Sequence, residues 1–314
     1  MISSKSLQFL NGEFGKGRYK MMTESFSFSG CSAVFGQITE IVGHHIGSWQ
    51  DGEIVPLHES MMKLAIKIIT QTNFGAHFKD ETNSRNLHHQ YSIVIDDLDD
   101  VLNGLWTFGS GDEREVMFEQ NLRIFKAEMK KIVTEHRIRK EDGDYSLAPF
   151  LDTLLDNIDD EDEVVHQAIT FMIGGFHTTG TYMTWLFYFL SQRPDIQRKV
   201  MKEVKRVRAE ENFTTINDMR KLVYTRKVMN ETLRFGKIGL FSERQAERDT
   251  EIGGFVITKG SQILHALALT LDDPETFANP TEFDPEANFP EDKSPGMAYT
   301  PFGFGVRKCP GYRY

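Results

Sequence analysis

The chain has 314 residues, of which 39% are hydrophobic and 26% are charged, which is typical of a soluble globular protein. A formal net charge of −10 argues against a nucleic-acid partner, because phosphate binding requires clustered Lys and Arg. Two cysteines, Cys31 and Cys309, are too few for a disulfide framework or a structural zinc site. We therefore expect an intracellular chain in which Cys309 is a free thiol or thiolate.

Helices are predicted for most of the chain up to residue 236, with a helical body from about residue 50. Residues 57–75 have apolar side chains at helical spacing and end at Gly75, a typical helix stop. The first 17 residues show neither a clear element nor the apolar core of a signal peptide, so we expect a piece of a longer protein. Residues 113–144 are predicted to form a long amphipathic helix whose apolar side is Val116, Phe118, Leu122, Phe125, Met129 and Ile132.

Residues 164–192 contain no charged side chain, which allows two interpretations. The run is long enough to span a membrane, or it is a helix buried at the centre of a soluble protein. Polar residues at its centre favour the buried helix. Gly174 and Gly175 cost about 1 kcal/mol each relative to Ala in a helix. They predict either a groove floored by backbone beside His177 and Thr178, or a kinked packing helix with satisfied hydroxyls.

After Gly236 the sequence changes character. Short β-type runs with glycine breaks over 246–271 predict strands and a hairpin, and the Pro- and Asn-rich stretch 272–296 is irregular. No linker divides the chain. We predict one partial domain over residues 1–314, mainly α with a small β-sheet part, with the sheet and a closing cysteine loop in 237–314.

The chain closes on the segment "PFGFGVRKCPGYRY", which cannot be a regular helix or strand. Pro310 is typical of the first position of a helix, which places Cys309 at the N-cap, where backbone N–H groups favour a thiolate. Arg307 adds positive charge and a fork for carboxylates.

Three further residues of this loop suit a flat ligand. Gly303 and Gly305 allow a tight turn against which such a ligand can lie, and Phe302 offers an aromatic wall. A thiolate, an arginine and an apolar floor together suit haem, with Cys309 as the axial ligand of the iron and Arg307 on a propionate. The alternative is a Gly/Pro loop around an inert buried cysteine.

The loop matches the haem-binding signature of the cytochrome P450 family at all five of its fixed positions: Phe302, Gly305, Arg307, Cys309 and Gly311. Further motifs follow in the family's order. Glu231 and Arg234 resemble its Glu-x-x-Arg pair, "GGFHTT" resembles its oxygen-groove motif, and Arg244 aligns with a residue that binds a haem propionate. The resemblance covers about residues 50–314. The central motif and "ALALTLDDP" also resemble the animal orphan family twenty.

The resemblance implies a cytochrome P450-like fold that is incomplete, without the N-terminal anchor and first sheet and without the C-terminal helix and sheet. It implies a haem-thiolate monooxygenase that inserts one oxygen atom of O2 into an apolar organic substrate. The cofactor is haem b, and NADPH acts only through a reductase partner. Thr178 and His177 form the distal polar group. The parent protein is expected at the endoplasmic reticulum membrane, held through a missing N-terminal anchor.

Local cations hint that an acidic reductase docks on the side of the cysteine. They are Lys293, Arg307, Lys308 and Arg313.

The sequence departs from the family pattern in two places that bear on function. His177 stands where the family usually has an acid that helps proton delivery. The arginine that normally joins the Glu231–Arg234 pair is replaced by Ala287 or Asn288, which predicts a weaker ion network. A haem-binding protein without oxygenase activity and a non-functional fragment are therefore the alternative interpretations.

Overall fold

The structure is a computed structural model that describes residues 4–102, 105–109, 111–143, 148–210, 215–290 and 295–314. The chain divides into two compact units, Met1–Gly180 with Arg313–Tyr314, and Thr181–Tyr312. Each unit is described on its own.

The described part of the first unit is helical. Its helices are α1 Gly12–Glu24, α2 Phe28–Gly47, α3 Leu57–Asn73, α4 Glu81–Leu102, α5 Glu113–Glu141, α6 Pro149–Asn157 and the greater part of α7 Glu161–Gln192. Polar N-caps fix two of the helix starts: Ser27 accepts the Gly30 N–H at 3.2 Å, and Asp112 accepts the Glu115 N–H at 2.8 Å. The boundaries of α3 and α5 agree with the apolar periodicity of the sequence.

Aromatic rings fill the core of the first unit. The ring of Phe171 lies 5.5 Å from that of Phe26 and 4.5 Å from that of Phe150. Tyr91 packs edge-on against Phe176 at 4.6 Å. Such pairs combine apolar burial with a geometric preference, which gives this core a defined arrangement.

The second unit combines helices with two small sheets. It contains the end of α7, then α8 Pro194–Glu210, α9 Val223–Gly236, β1 Ser242–Gln245, β2 Thr250–Ile252, β3 Phe255–Ile257, β4 Gln262–His265, α10 Leu267–Thr270 and α11 Pro285–Asn288. Strand β1 pairs antiparallel with β4, and β2 pairs antiparallel with β3. A cluster of Phe189, Ile196, Val228 and Phe283 forms its core. The predicted fold class, mainly α with a small sheet part, is confirmed.

The structure differs from the sequence prediction at both ends. Helices begin at Gly12 rather than near residue 50, because α1 and α2 bury Met22, Val34 and Ile41 despite their glycines. The helix start predicted at Pro310 is not found, since residues 310–313 form a turn. Val116, predicted on the apolar side of α5, is 60% exposed.

The membrane-span interpretation of the uncharged run is not supported. Among the residues that the structure describes, no helix is long and apolar enough to cross a membrane.

Candidate functional site

Arg234 is completely buried, and its guanidinium organises the second unit next to the irregular segment after β4. Its Nε and Nη2 donate to the Glu231 carboxylate at 2.7 and 2.9 Å. Its Nη1 and Nη2 also donate to the carbonyl oxygens of Leu271, Pro280 and Glu282 at 2.8 to 3.0 Å. All five N–H donors are thereby used, which satisfies a buried guanidinium as its desolvation requires.

Asn288 occupies the third position of this network. It is 2% exposed, and its Nδ2 donates to Glu231 Oε1 at 2.9 Å and to the Asn279 carbonyl at 3.0 Å. Its Oδ1 accepts the Asn279 N–H at 2.8 Å, and the Asp284 N–H donates to the same Glu231 oxygen at 2.9 Å. The network is therefore closed by a neutral amide rather than by a second cation. Of the two candidate substitutes for the family's arginine, Asn288 is the one whose side chain joins the pair.

The cysteine loop is a tight turn stabilised by its own backbone. The Cys309 N–H donates to the Phe302 carbonyl at 2.8 Å, and the Lys308 N–H donates to the Gly305 carbonyl at 3.1 Å. Gly303 and Gly305 have φ of 70° and 66°, which side chains other than glycine's rarely adopt. A Cβ added at either glycine would meet no atom within 4 Å, so the loop presents open space there.

The electrostatic surroundings of Cys309 are mixed. The residue is exposed, yet the protein around its sulfur desolvates the thiolate and raises the pKa of the Cys309 thiol. The Gly311 N–H and the charge of Lys308 act in the opposite direction without cancelling this effect. The sequence analysis assigned the favourable charge to Arg307 and to a helix dipole. Lys308 is instead the cation that lowers the pKa of Cys309, and no helix begins there.

Arg244 lies on the sheet that precedes the loop in the chain. It is exposed in β1, where it pairs with Ile263 of β4, and its Nη1 donates to the Glu243 carbonyl at 2.7 Å. On the neighbouring β4, the His265 ring meets the Phe304 ring of the cysteine loop edge-on at 5.0 Å. Sequence analysis missed His265, because only the strand register and this ring contact reveal its position.

The central motif lies on α7 in the first unit. The Thr178 hydroxyl donates to the Gly174 carbonyl at 2.6 Å, one turn earlier, and both Thr178 and His177 are exposed. The two glycines differ: a Cβ on Gly175 would lie 2.8 Å from Ile69 Cδ1, whereas one on Gly174 would meet nothing within 4 Å. The motif thus combines close helix packing at Gly175 with an open backbone at Gly174.

These residues form two sets. Cys309, Phe302, Gly303, Gly305, Gly311, Arg307 and Arg244 belong to the second unit, whereas Thr178 and His177 belong to the first. Within the second unit, the donor set fits haem: an exposed thiol, an open glycine turn and guanidiniums for carboxylates. Lys293, a predicted docking cation, lies outside the described residues.

Comparison with known proteins agrees with this site. Cytochrome P450 20A1 of Bos taurus is 28% identical over 269 residues, which are 85% of this chain and 56% of that protein. Cyclooctat-9-en-7-ol 5-monooxygenase of Streptomyces melanosporofaciens is 26% identical over 321 residues, which are 99% of this chain and 69% of that protein.

A solved structure, the retinoic acid-bound cyanobacterial CYP120A1, has a similar fold, with a TM-score of 0.82 at 21% identity over 98% of this chain and 70% of that one. The chain spans 56% of the length of the first curated relative named above. The family model described as cytochrome P450 matches residues 3–313. The chain therefore belongs to the cytochrome P450 family, which implies a haem cofactor.

Proposed function

We propose that this chain binds haem b through Cys309 and acts within a haem-thiolate monooxygenase on an apolar organic substrate. The observation that carries the proposal is the cysteine loop, in which the five signature residues surround an exposed thiol and an open glycine turn. Arg307 and Arg244 would bind the carboxylates of the haem. When bound, haem supplies the redox chemistry by which one atom of O2 enters the substrate and the other leaves as water.

Two comparisons support the reaction class. The Streptomyces relative is named as a monooxygenase of cyclooctat-9-en-7-ol, and the cyanobacterial structure contains retinoic acid. Both names point to largely apolar molecules. Electrons would come from NADPH through a reductase, and exposed Lys and Arg near Cys309 would attract an acidic partner. Membrane association and an endoplasmic reticulum location stay predictions.

Thr178 and His177 are proposed to handle protons on the distal side. The Thr178 hydroxyl is held by the Gly174 carbonyl, so its oxygen remains available to accept a hydrogen bond. An imidazole can take up and release a proton near neutral pH, which would allow His177 to replace the acid of the family. This assignment rests on the motif and on the exposure of both side chains.

The absorption spectrum of the reduced, carbon monoxide-bound chain tests the proposal. We expect a red-shifted Soret band that is lost in Cys309→Ser and retained in the matched control Cys31→Ser. Cys31 is buried in the first unit, so the control removes the other thiol of the chain without touching the loop. A band that survives Cys309→Ser would contradict thiolate ligation by Cys309.

His177 favours a second candidate, a haem-binding protein without oxygenase activity. Substrate-dependent NADPH consumption with a reductase separates the two. Consumption above the substrate-free rate supports the monooxygenase. A chain with the thiolate spectrum and no such consumption over a panel of apolar substrates supports the second candidate.

A further inference from the structure

His265 shares one face of the β1–β4 sheet with Arg244. The register places Ser242 opposite His265 and Arg244 opposite Ile263. In an antiparallel pair, opposite residues project on the same face, as do residues two apart along one strand. Arg244 and His265 are therefore diagonal neighbours on one face.

This face adjoins the cysteine loop. The His265 ring meets the Phe304 ring at 5.0 Å with an interplanar angle of 85°, a favourable edge-to-face contact. Phe304 lies between the two open glycines of the loop, Gly303 and Gly305. The imidazole is thereby held beside the part of the loop where we propose that haem binds.

One nitrogen of the imidazole has no partner. Nδ1 of His265 is buried and makes no hydrogen bond with the described residues, whereas Nε2 is not enclosed in this way. A buried N–H without an acceptor is less tolerated than a buried lone pair, so the neutral ring carries its proton on Nε2. Nε2–H is then a donor that needs an acceptor, next to an arginine on the same face.

We propose that His265 donates a hydrogen bond from Nε2 to a carboxylate of the bound haem and so extends the carboxylate site formed by Arg244 and Arg307. The inference rests on the proposed function. A donor of this kind distinguishes a haem with free carboxylates from one whose carboxylates are esterified. A histidine that only packs against Phe304 does not distinguish them.

The experiment compares binding of iron protoporphyrin IX and of its dimethyl ester to the 314-residue chain. We expect the wild-type chain to prefer the free acid, and His265→Phe to reduce that preference about tenfold, as expected for one hydrogen bond to a charged group. Phenylalanine keeps an aromatic ring against Phe304, and the ester controls for general damage, because misfolding weakens both ligands. His265→Gln, which retains an N–H donor, should recover most of the preference.

The outcomes separate the inference from the function on which it rests. If the chain binds haem with the Cys309-dependent spectrum but His265→Phe keeps the full preference for the free acid, the inference is wrong and the proposed function stands. The same holds if the wild-type chain shows no preference. If the chain lacks the Cys309-dependent spectrum, the proposed function fails, and the inference fails with it.

Discussion

At the scale of single residues, Asn288 shows how the chain retains a buried ion pair without the family's third charged member. Its amide donates to Glu231 and accepts from Asn279, so both ends of the side chain are used. The pair Glu231–Arg234 is neutral as a whole, and a neutral amide keeps it so. The weaker network predicted from the sequence is, in the structure, a complete one with a different charge.

Replacing Asn288 with Leu should lower the free energy of unfolding by about 2–3 kcal/mol, because Glu231 and the Asn279 backbone lose buried hydrogen bonds. Asn288→Asp should cost more, since a second carboxylate would face Glu231 Oε1 at the 2.9 Å now spanned by the amide. Urea denaturation measures both. Asn157→Leu, at an exposed position on α6, is the matched control and should change stability by about 0.5 kcal/mol or less. Equal effects of Asn288→Leu and the control would contradict this role.

Two glycines of α7 should respond oppositely to alanine. A Cβ on Gly180 would lie 2.4 Å from Met62 Sδ and 3.1 Å from Met62 Cα, so Gly180→Ala must displace backbone and should destabilise the fold by about 1–3 kcal/mol. Gly174→Ala meets no atom within 4 Å and should stabilise the helix by up to about 1 kcal/mol. Thermal unfolding of the two variants checks the pair. A stabilising Gly180→Ala would show that α7 does not pack closely against α3.

At the scale of elements, α9 begins without a cap of its own. Leu222 is its N-cap residue and has no side-chain acceptor. Glu203 of α8 supplies the acceptors instead: it accepts the N–H groups of Tyr224 and Thr225, each at 2.8 Å. This contact fixes the start of the helix that carries Glu231 and Arg234.

The Glu203 cap predicts a pH dependence. Burial raises the pKa of Glu203, but hydrogen bonds from Thr225 and Tyr224 outweigh it and hold the pKa below its ordinary value. The cap therefore stabilises the fold above the unfolded-state pKa of about 4.3, and this contribution is lost as pH falls through the folded-state pKa. We expect Glu203→Gln to be about 1 kcal/mol less stable than wild type near pH 7, with the difference shrinking below about pH 4.

Urea denaturation across this pH range measures the difference. Glu247→Gln, at an exposed position after β1, controls for the lost charge. A constant difference between wild type and Glu203→Gln at all pH values would argue against the ionised cap.

At the scale of the whole molecule, the sequence predicts what depends on local pattern. Helices α3, α5 and α7 follow from periodicity and from charge at their ends, and the cysteine loop follows from fixed spacing. Helices α1 and α2 were missed because their glycines oppose helix formation, and burial of residues such as Met22 and Val34 outweighs that cost. His265 and Asn288 depend on pairings between distant positions, which no local pattern encodes.

The guanidinium of Arg234 has a consequence for how the chain opens. It holds carbonyl oxygens at 271, 280 and 282, so three tethers of a segment with little regular structure end on one side chain. Departure of that side chain releases all three at once. The segment should therefore exchange its amide hydrogens as one cooperative unit, with a shared opening free energy, instead of fraying loop by loop.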